Sequence, residues 1–151
     1  MRRVRTLDGL TVLGPEDGDF YGSPFDLTIK ATAAETGGWG VVVVTGIPGE
    51  GGHTHVHRGE AEAFFILKGA IELLGAESTI PLTPGSFVLI PPDTEHGLRI
   101  VGDEQAAWLA IWPRALDGYP EAYLRLEAEG ASEDDLTELA RMHGVLSGRA
   151  R

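Results

Sequence analysis

A chain of 151 residues with 42% hydrophobic and 23% charged residues is long enough for one domain with a sizeable core. Twelve Lys and Arg against twenty-three Asp and Glu leave a net charge of −11. That balance argues against nucleic acid or an anionic membrane as partner, because phosphate binding needs a basic face, and the absence of cysteine excludes disulfides and thiolate ligands.

The first eight residues are basic but lack the apolar run of a signal peptide, and no segment approaches the ~20 apolar residues that span a bilayer. A cytoplasmic protein is therefore expected. Short stretches rich in Val, Ile, Phe or Trp follow at 25–31, 39–47, 53–57, 61–67, 70–74, 79–82, 86–90, 98–101 and 106–112. Turn signals built on Gly, Pro and Asp separate them, as at Gly37-Gly38, Pro84-Gly85 and Gly102-Asp103. Regularly spaced strands without intervening helices predict an all-β sandwich or barrel of roughly eight to ten strands.

After Pro113 the pattern changes, and 119–130 and 132–144 read as two helices, the only ones expected. Ser132 is the N-cap of the second, Asp135 stands three residues on, and Gly144 is the stop. Leu136, Leu139, Ala140 and Met142 give it an apolar side. Such a helix is expected to pack outside the barrel or on a partner rather than close a pocket. The chain thus reads as a single domain over 1–151, with a barrel core at about 25–113 and a helical appendage at about 119–144.

The chemistry concentrates in Gly49-Glu50-Gly51-Gly52-His53-Thr54-His55-Val56-His57-Arg58-Gly59-Glu60-Ala61-Glu62. Histidines two apart on a strand share a face, so His53, His55 and His57 form an imidazole row. Glu62, five residues past His57, would fall on the opposite face of an unbroken strand. A hairpin at Arg58-Gly59-Glu60 brings it back onto the neighbouring strand. His96, after the turn at Pro91-Pro92-Asp93, enters from a third. Three imidazoles and one carboxylate suit a divalent transition metal (Fe, Mn, Ni, Co, Cu or Zn) and leave positions open for water or substrate. His53 lies ~6.6 Å beyond His55 by strand rise, which favours a pocket-mouth or supporting role over direct ligation. Glu60 competes weakly with Glu62, and His143 suits a helix C-terminus. Phe64, Ile66, Phe87, Leu89, Trp108, Ala110 and Trp112 are expected as apolar walls around the site.

The spacing of Gly49, His55, His57, Glu62 and Gly69 resembles the first motif of the cupin superfamily, and Gly85, Pro91 and His96 resemble the second. Asp93 replaces the usual glycine and Ile100 the usual asparagine. The resemblance implies a cupin double-stranded β-helix, or jelly-roll barrel, with His55, His57, Glu62 and His96 as metal ligands. The layout is further similar to single-domain cupins of the bacterial quercetin dioxygenase type, through Glu35-Thr36-Gly37-Gly38 and the 139–145 segment. In that group the glutamate is a ligand and a proton acceptor. The implied function is a metal-binding cupin acting on a small organic molecule, with a dioxygenase as the leading expectation. Alternatives are a polyketide cyclase, an isomerase or a non-enzymatic binding module. A homodimer is implied as well.

Overall fold

Alternation of buried and partly buried residues along Trp39–Gly46 and Ala106–Pro113 shows how each central strand gives one face to the core. In the computed structural model, residues 5–22 and 25–148 are described. In chain order the strands are β1 (Arg5–Leu7), β2 (Leu10–Val12), β3 (Asp19–Tyr21), β4 (Asp26–Ala31), β5 (Trp39–Gly46) and β6 (His55–His57). They continue as β7 (Glu62–Lys68), β8 (Ala70–Gly75), β9 (Thr79–Leu82), β10 (Phe87–Ile90), β11 (His96–Val101), β12 (Ala106–Pro113) and β13 (Val145–Ser147). The helices are α1 (Ala33–Thr36), α2 (Tyr119–Ala128) and α3 (Glu133–Met142), with a 3₁₀ turn at Arg114–Leu116.

The described strands form two facing sheets and a small hairpin. One sheet has the order β10-β7-β12-β5-β4-β3, the other β13-β6-β11-β8-β9, and β1 pairs only with β2. All pairings are antiparallel. The fold is a double-stranded β-helix, and its thirteen described strands exceed the eight to ten expected. The extra ones are the short β1, β2, β3 and β13, whose three residues each are too few to show a period.

Between the sheets lies a core that includes Val42, Ile66, Ile71, Ile100 and Trp108, none more than 3% exposed. Burial of such side chains contributes about 1.5–3 kcal/mol each. Phe25 meets Trp108 edge-on at 5.5 Å. Ile100, standing where asparagine is usual in the resemblance, is part of this core.

Two helical expectations need correction. Helices are not confined to the tail, because Thr32 caps the single-turn α1 through a capping box with Glu35. The Asp117 carboxylate, from the segment after the barrel, adds hydrogen bonds to the amides of Ala33 and Ala34. The capping box at Ser132 and Asp135 is present as expected. The helical pair does not merely pack outside, however: Tyr119, Pro120 and Tyr123 of α2 and Ala140 of α3 line the central pocket. Met142, read as apolar packing, is 74% exposed.

Candidate metal centre

β6 carries two of the histidines because it is held on both sides. His55 pairs with His96 of β11 and with Ser147 of β13, and His57 pairs with Val145. Glu62 opens β7, which belongs to the other sheet. The turn after His57 therefore does not make a β6–β7 hairpin, as the sequence suggested; it carries the chain from one sheet to the other. Gly59, at φ +72°, permits that turn. Asp93 reinforces it. Its backbone takes the left-handed conformation at φ +59°, its amide donates to the His57 carbonyl at 3.0 Å, and its carboxylate accepts from the Gly59 amide at 3.0 Å. The aspartate in place of the motif glycine thus ties the loop before His96 to the turn after His57.

The result is convergence of four side chains, three of them buried. One donor atom from each of His55, His57, Glu62 and His96 lies within 4.8 Å of all the others. His55 Nε2 is 3.2 Å from His57 Nε2, and Glu62 Oε2 is 3.0 Å from His57 Nε2 and 2.9 Å from His96 Nε2. Adjacent ligands on an octahedral ion at about 2.1 Å would stand about 3.0 Å apart.

Proton placement also fits a cation. His96 Nδ1 donates to the Thr94 carbonyl at 2.8 Å, which leaves the Nε2 lone pair of the neutral ring pointing at the Glu62 carboxylate. Two lone pairs at 2.9 Å repel unless a proton or a metal lies between them. His57 Nδ1 is buried without a hydrogen-bond partner, and its Nε2 faces the same carboxylate at 3.0 Å. The four residues therefore fit a divalent metal.

The electrostatics agree. Burial, followed by His96 and His57, lowers the His55 pKa to about 4, so it is a neutral donor at neutral pH. Burial would raise the Glu62 carboxyl, but its contacts with the His57 and His96 rings outweigh it and hold the pKa at about 2. Burial likewise opposes protonation of His96, yet the bond to Glu62 raises its pKa.

His53 precedes β6, is exposed and lines the pocket, and it does not join the four-residue cluster. The Glu60 carboxylate is engaged elsewhere, accepting from the amides of Arg114 and Ala115 at 2.9 and 3.0 Å. His143 caps α3, with Nδ1 2.5 Å from the Ala115 carbonyl. Phe64, Trp108 and Trp112 line the pocket as expected. Phe87 and Leu89 do not; at 63% and 65% exposure they lie on the outer face, because β10 turns Ile90 inward instead. Ile66 and Ala110 are buried in the core rather than at the pocket.

The sequence missed three supports of the site: β13 beside β6, the Asp93 link and the Thr94 carbonyl behind His96. Only β13 left a trace, the apolar Val145-Leu146 pair after the helix stop.

Residues 42–112 match the sequence model of the family described as Cupin domain. Those residues form a cupin domain. Over 67 residues it is 39% identical to a glucose-6-phosphate isomerase of Pyrococcus horikoshii, covering 41% of this chain and 35% of that protein. Over 80 residues it is 32% identical to the polyketide synthase CurC of Streptomyces cyaneus, covering 53% of this chain and 51% of the relative. The chain thus spans between a third and about half of these relatives. Among solved structures, the polyketide cyclase RemF of Streptomyces resistomycificus superposes with a TM-score of 0.62 at 14% identity, over 70% of this chain and 80% of that one, a likeness of fold.

Proposed function

We propose that this cupin is a metal-dependent enzyme acting by proton transfer on a non-phosphorylated aromatic or polyketone enol, in the manner of a cyclase or isomerase. The observation that carries this reading is the lining of the pocket around the four ligands. Its volume is about 650 Å³, its walls include Phe25, Phe64, Trp108, Trp112, Tyr119 and Tyr123, and its described lining residues include no Lys or Arg. The isomerase relatives act, by their name, on a phosphorylated sugar. A phosphate dianion needs cationic partners or a cluster of backbone amides, and an aromatic pocket whose charged groups are carboxylates opposes it. Flat conjugated substrates, by contrast, stack well on aromatic walls.

His55, His57, Glu62 and His96 would hold the metal, which when bound supplies a Lewis acid for an enolic or carbonyl oxygen. The Tyr119 and Tyr123 rings, on α2, confine the substrate from the helical side. Glu62, held ionised by His57 and His96, is foremost a ligand. It accepts a substrate proton only when it gives up one of those imidazole contacts, because a carboxylate of such low pKa is a weak base.

The test is to assay protein loaded with each first-row divalent metal against phenolic polyketones, 1,3-diketones, flavonols and sugar phosphates, recording oxygen uptake and product mass. Isomerisation or ring closure of a non-phosphorylated enol without oxygen uptake is expected. Turnover of a sugar phosphate alone would overturn the reading. Oxygen uptake with a flavonol or diketone would instead select the dioxygenase, in which the same enol reacts with dioxygen.

A further inference from the structure

The pocket has two polar poles, and strand register sets them apart. His96 and Glu62 stand where β11 and β7 begin. Ala63 pairs with Ile111, so Glu62 falls level with Trp112, near the end of β12. Glu50 belongs to the opposite end of the barrel. Its carbonyl accepts from the amide of Ile100, four residues along β11 from His96, at 2.9 Å. A Cβ placed on Gly46, the last residue of β5, would lie 2.6 Å from Glu50 Oε2 and 3.0 Å from Phe25 Cδ1. Gly46 pairs with Ala106, where β12 begins. Four residues of antiparallel strand rise separate the two poles by ~13 Å.

Both poles line the same pocket, and Val44, Leu98 and Trp108 supply apolar wall between them. Glu50 is half-buried and follows the exposed Ile47, Pro48 and Gly49, so its end of the pocket borders solvent. One of its oxygens is already used, since Oε2 accepts from the Ile47 amide at 2.9 Å. The other takes no hydrogen bond among the described residues. A carboxylate pinned through one oxygen holds the other in a set direction, ready for a donor. No Lys or Arg among the described lining residues offsets its charge.

We infer that Glu50 is a specificity-determining residue: it receives a hydrogen-bond donor, hydroxyl or ammonium, at the end of the substrate far from the metal, and rejects an anion there. The inference rests on the reading that an enolic oxygen binds at the four ligands. Metal–oxygen and hydrogen-bond lengths of about 2 and 2.7 Å leave on the order of 8 Å between that oxygen and the donor. One aromatic ring bridges such a gap. A substrate lacking the donor leaves a desolvated carboxylate unpaired, and an anionic one meets like charge with no cation to relieve it. The plain alternative is that Glu50 serves only to hold the turn at Ile47. Glutamine separates the two roles, because its carbonyl oxygen still accepts from that amide while the charge is gone.

The test is calorimetric titration of the zinc-loaded protein with aryl 1,3-diketones that differ only in the para substituent: hydrogen, hydroxyl, aminomethyl or carboxylate. Zinc has no redox chemistry, so binding is read without reaction with dioxygen. The hydroxyl or the aminomethyl compound should bind at least about 10-fold tighter than the unsubstituted one, and the carboxylate at least about 10-fold weaker. The tighter of the first two identifies the donor as neutral or cationic. Glu50→Gln should compress the series to within about 3-fold at unchanged metal content. Glu77→Gln, which removes an equal charge from the exposed turn between β8 and β9, should keep the wild-type ranking. If Glu50→Gln fails to fold, the wild-type series still decides, because a carboxylate bound as tightly as the hydroxyl compound overturns the inference. A ranking that survives in Glu50→Gln overturns it too, and in both cases the enol reading stands. Binding of none of the four compounds overturns both.

Discussion

Gly97 offers a test of the metal centre that touches no ligand. It lies between His96 and Leu98 on β11, and a Cβ there would meet the His53 carbonyl oxygen at 2.2 Å, the His53 carbonyl carbon at 3.0 Å and the Thr54 Cα at 3.2 Å. The obstacles are backbone, so they cannot swing aside as a side chain could. Gly97 does not have the positive φ that disfavours L residues, so alanine fits its backbone and the effect is steric. Restoring ordinary contact requires the 53–54 segment to move about 1 Å away from β11. His55 follows directly on that segment and is paired with His96. A 1 Å shift is several times the ~0.2 Å tolerance of metal–ligand distances. Gly97→Ala should therefore weaken metal affinity by about 10- to 100-fold, the range typical of lost supporting contacts, and cost about 1–3 kcal/mol of stability from overpacking. Competition against a chelator of known affinity measures the first, and urea unfolding of the metal-free protein measures the second. Gly38→Ala is the control, since that glycine has no positive φ and nothing within 4 Å of its Cβ position. An affinity for Gly97→Ala within threefold of wild type would refute the claim that close approach of these two backbones sets the site.

Other expectations concern the ligands directly. His55→Ala, His57→Ala and His96→Ala should each abolish stoichiometric metal binding by atomic absorption, whereas His53→Ala, outside the cluster, should keep it within about 10- to 100-fold. Full metal loss in the His53 variant alone would show the ligand set to be wrong. Glu62→Gln retains a carbonyl oxygen but cannot accept a proton, so turnover should fall by more than metal content; full turnover with intact metal would remove Glu62 as proton acceptor. The pH dependence has a definite sign. The folded Glu62 pKa of about 2 lies below its ordinary 4.5, so its stabilising contribution is present above pH 4.5 and is lost as pH falls toward 2. Melting of the metal-free protein should show that acid limb, and Glu62→Gln should flatten it. Metal affinity should also fall on acidification, with His96 taking up a competing proton before His55 because its pKa is raised while that of His55 is lowered.

Much of this was legible in the residue order because it depends on local spacing. Two-residue spacing fixes that His55 and His57 share a face, the Gly59 turn is written in its glycine, and the Ser132 cap needs only Asp135 three residues on. The family motif added His96 and Glu62 to the same ligand set, and both lie in the cluster. Where the reading failed, the deciding contacts were nonlocal. Phe87-Val88-Leu89-Ile90 is apolar at every position, so alternation cannot say which pair points inward; the pairing of Ile90 with Glu62 and of Phe87 with Phe65 decides it. Whether Glu62 pairs beside His57 or faces it from the opposite sheet depends on β7 choosing β10 and β12 as neighbours. The helical pair likewise reaches the pocket because Glu60, Asp117 and the Ala115 carbonyl anchor the segment after the barrel to distant residues. Residue order alone determined the shared face of His55 and His57 and the turn chemistry, since these are short-range properties of the backbone. Sheet membership, strand phase and the closing of the pocket rest on contacts between residues far apart in the chain, and only the tertiary structure decided them.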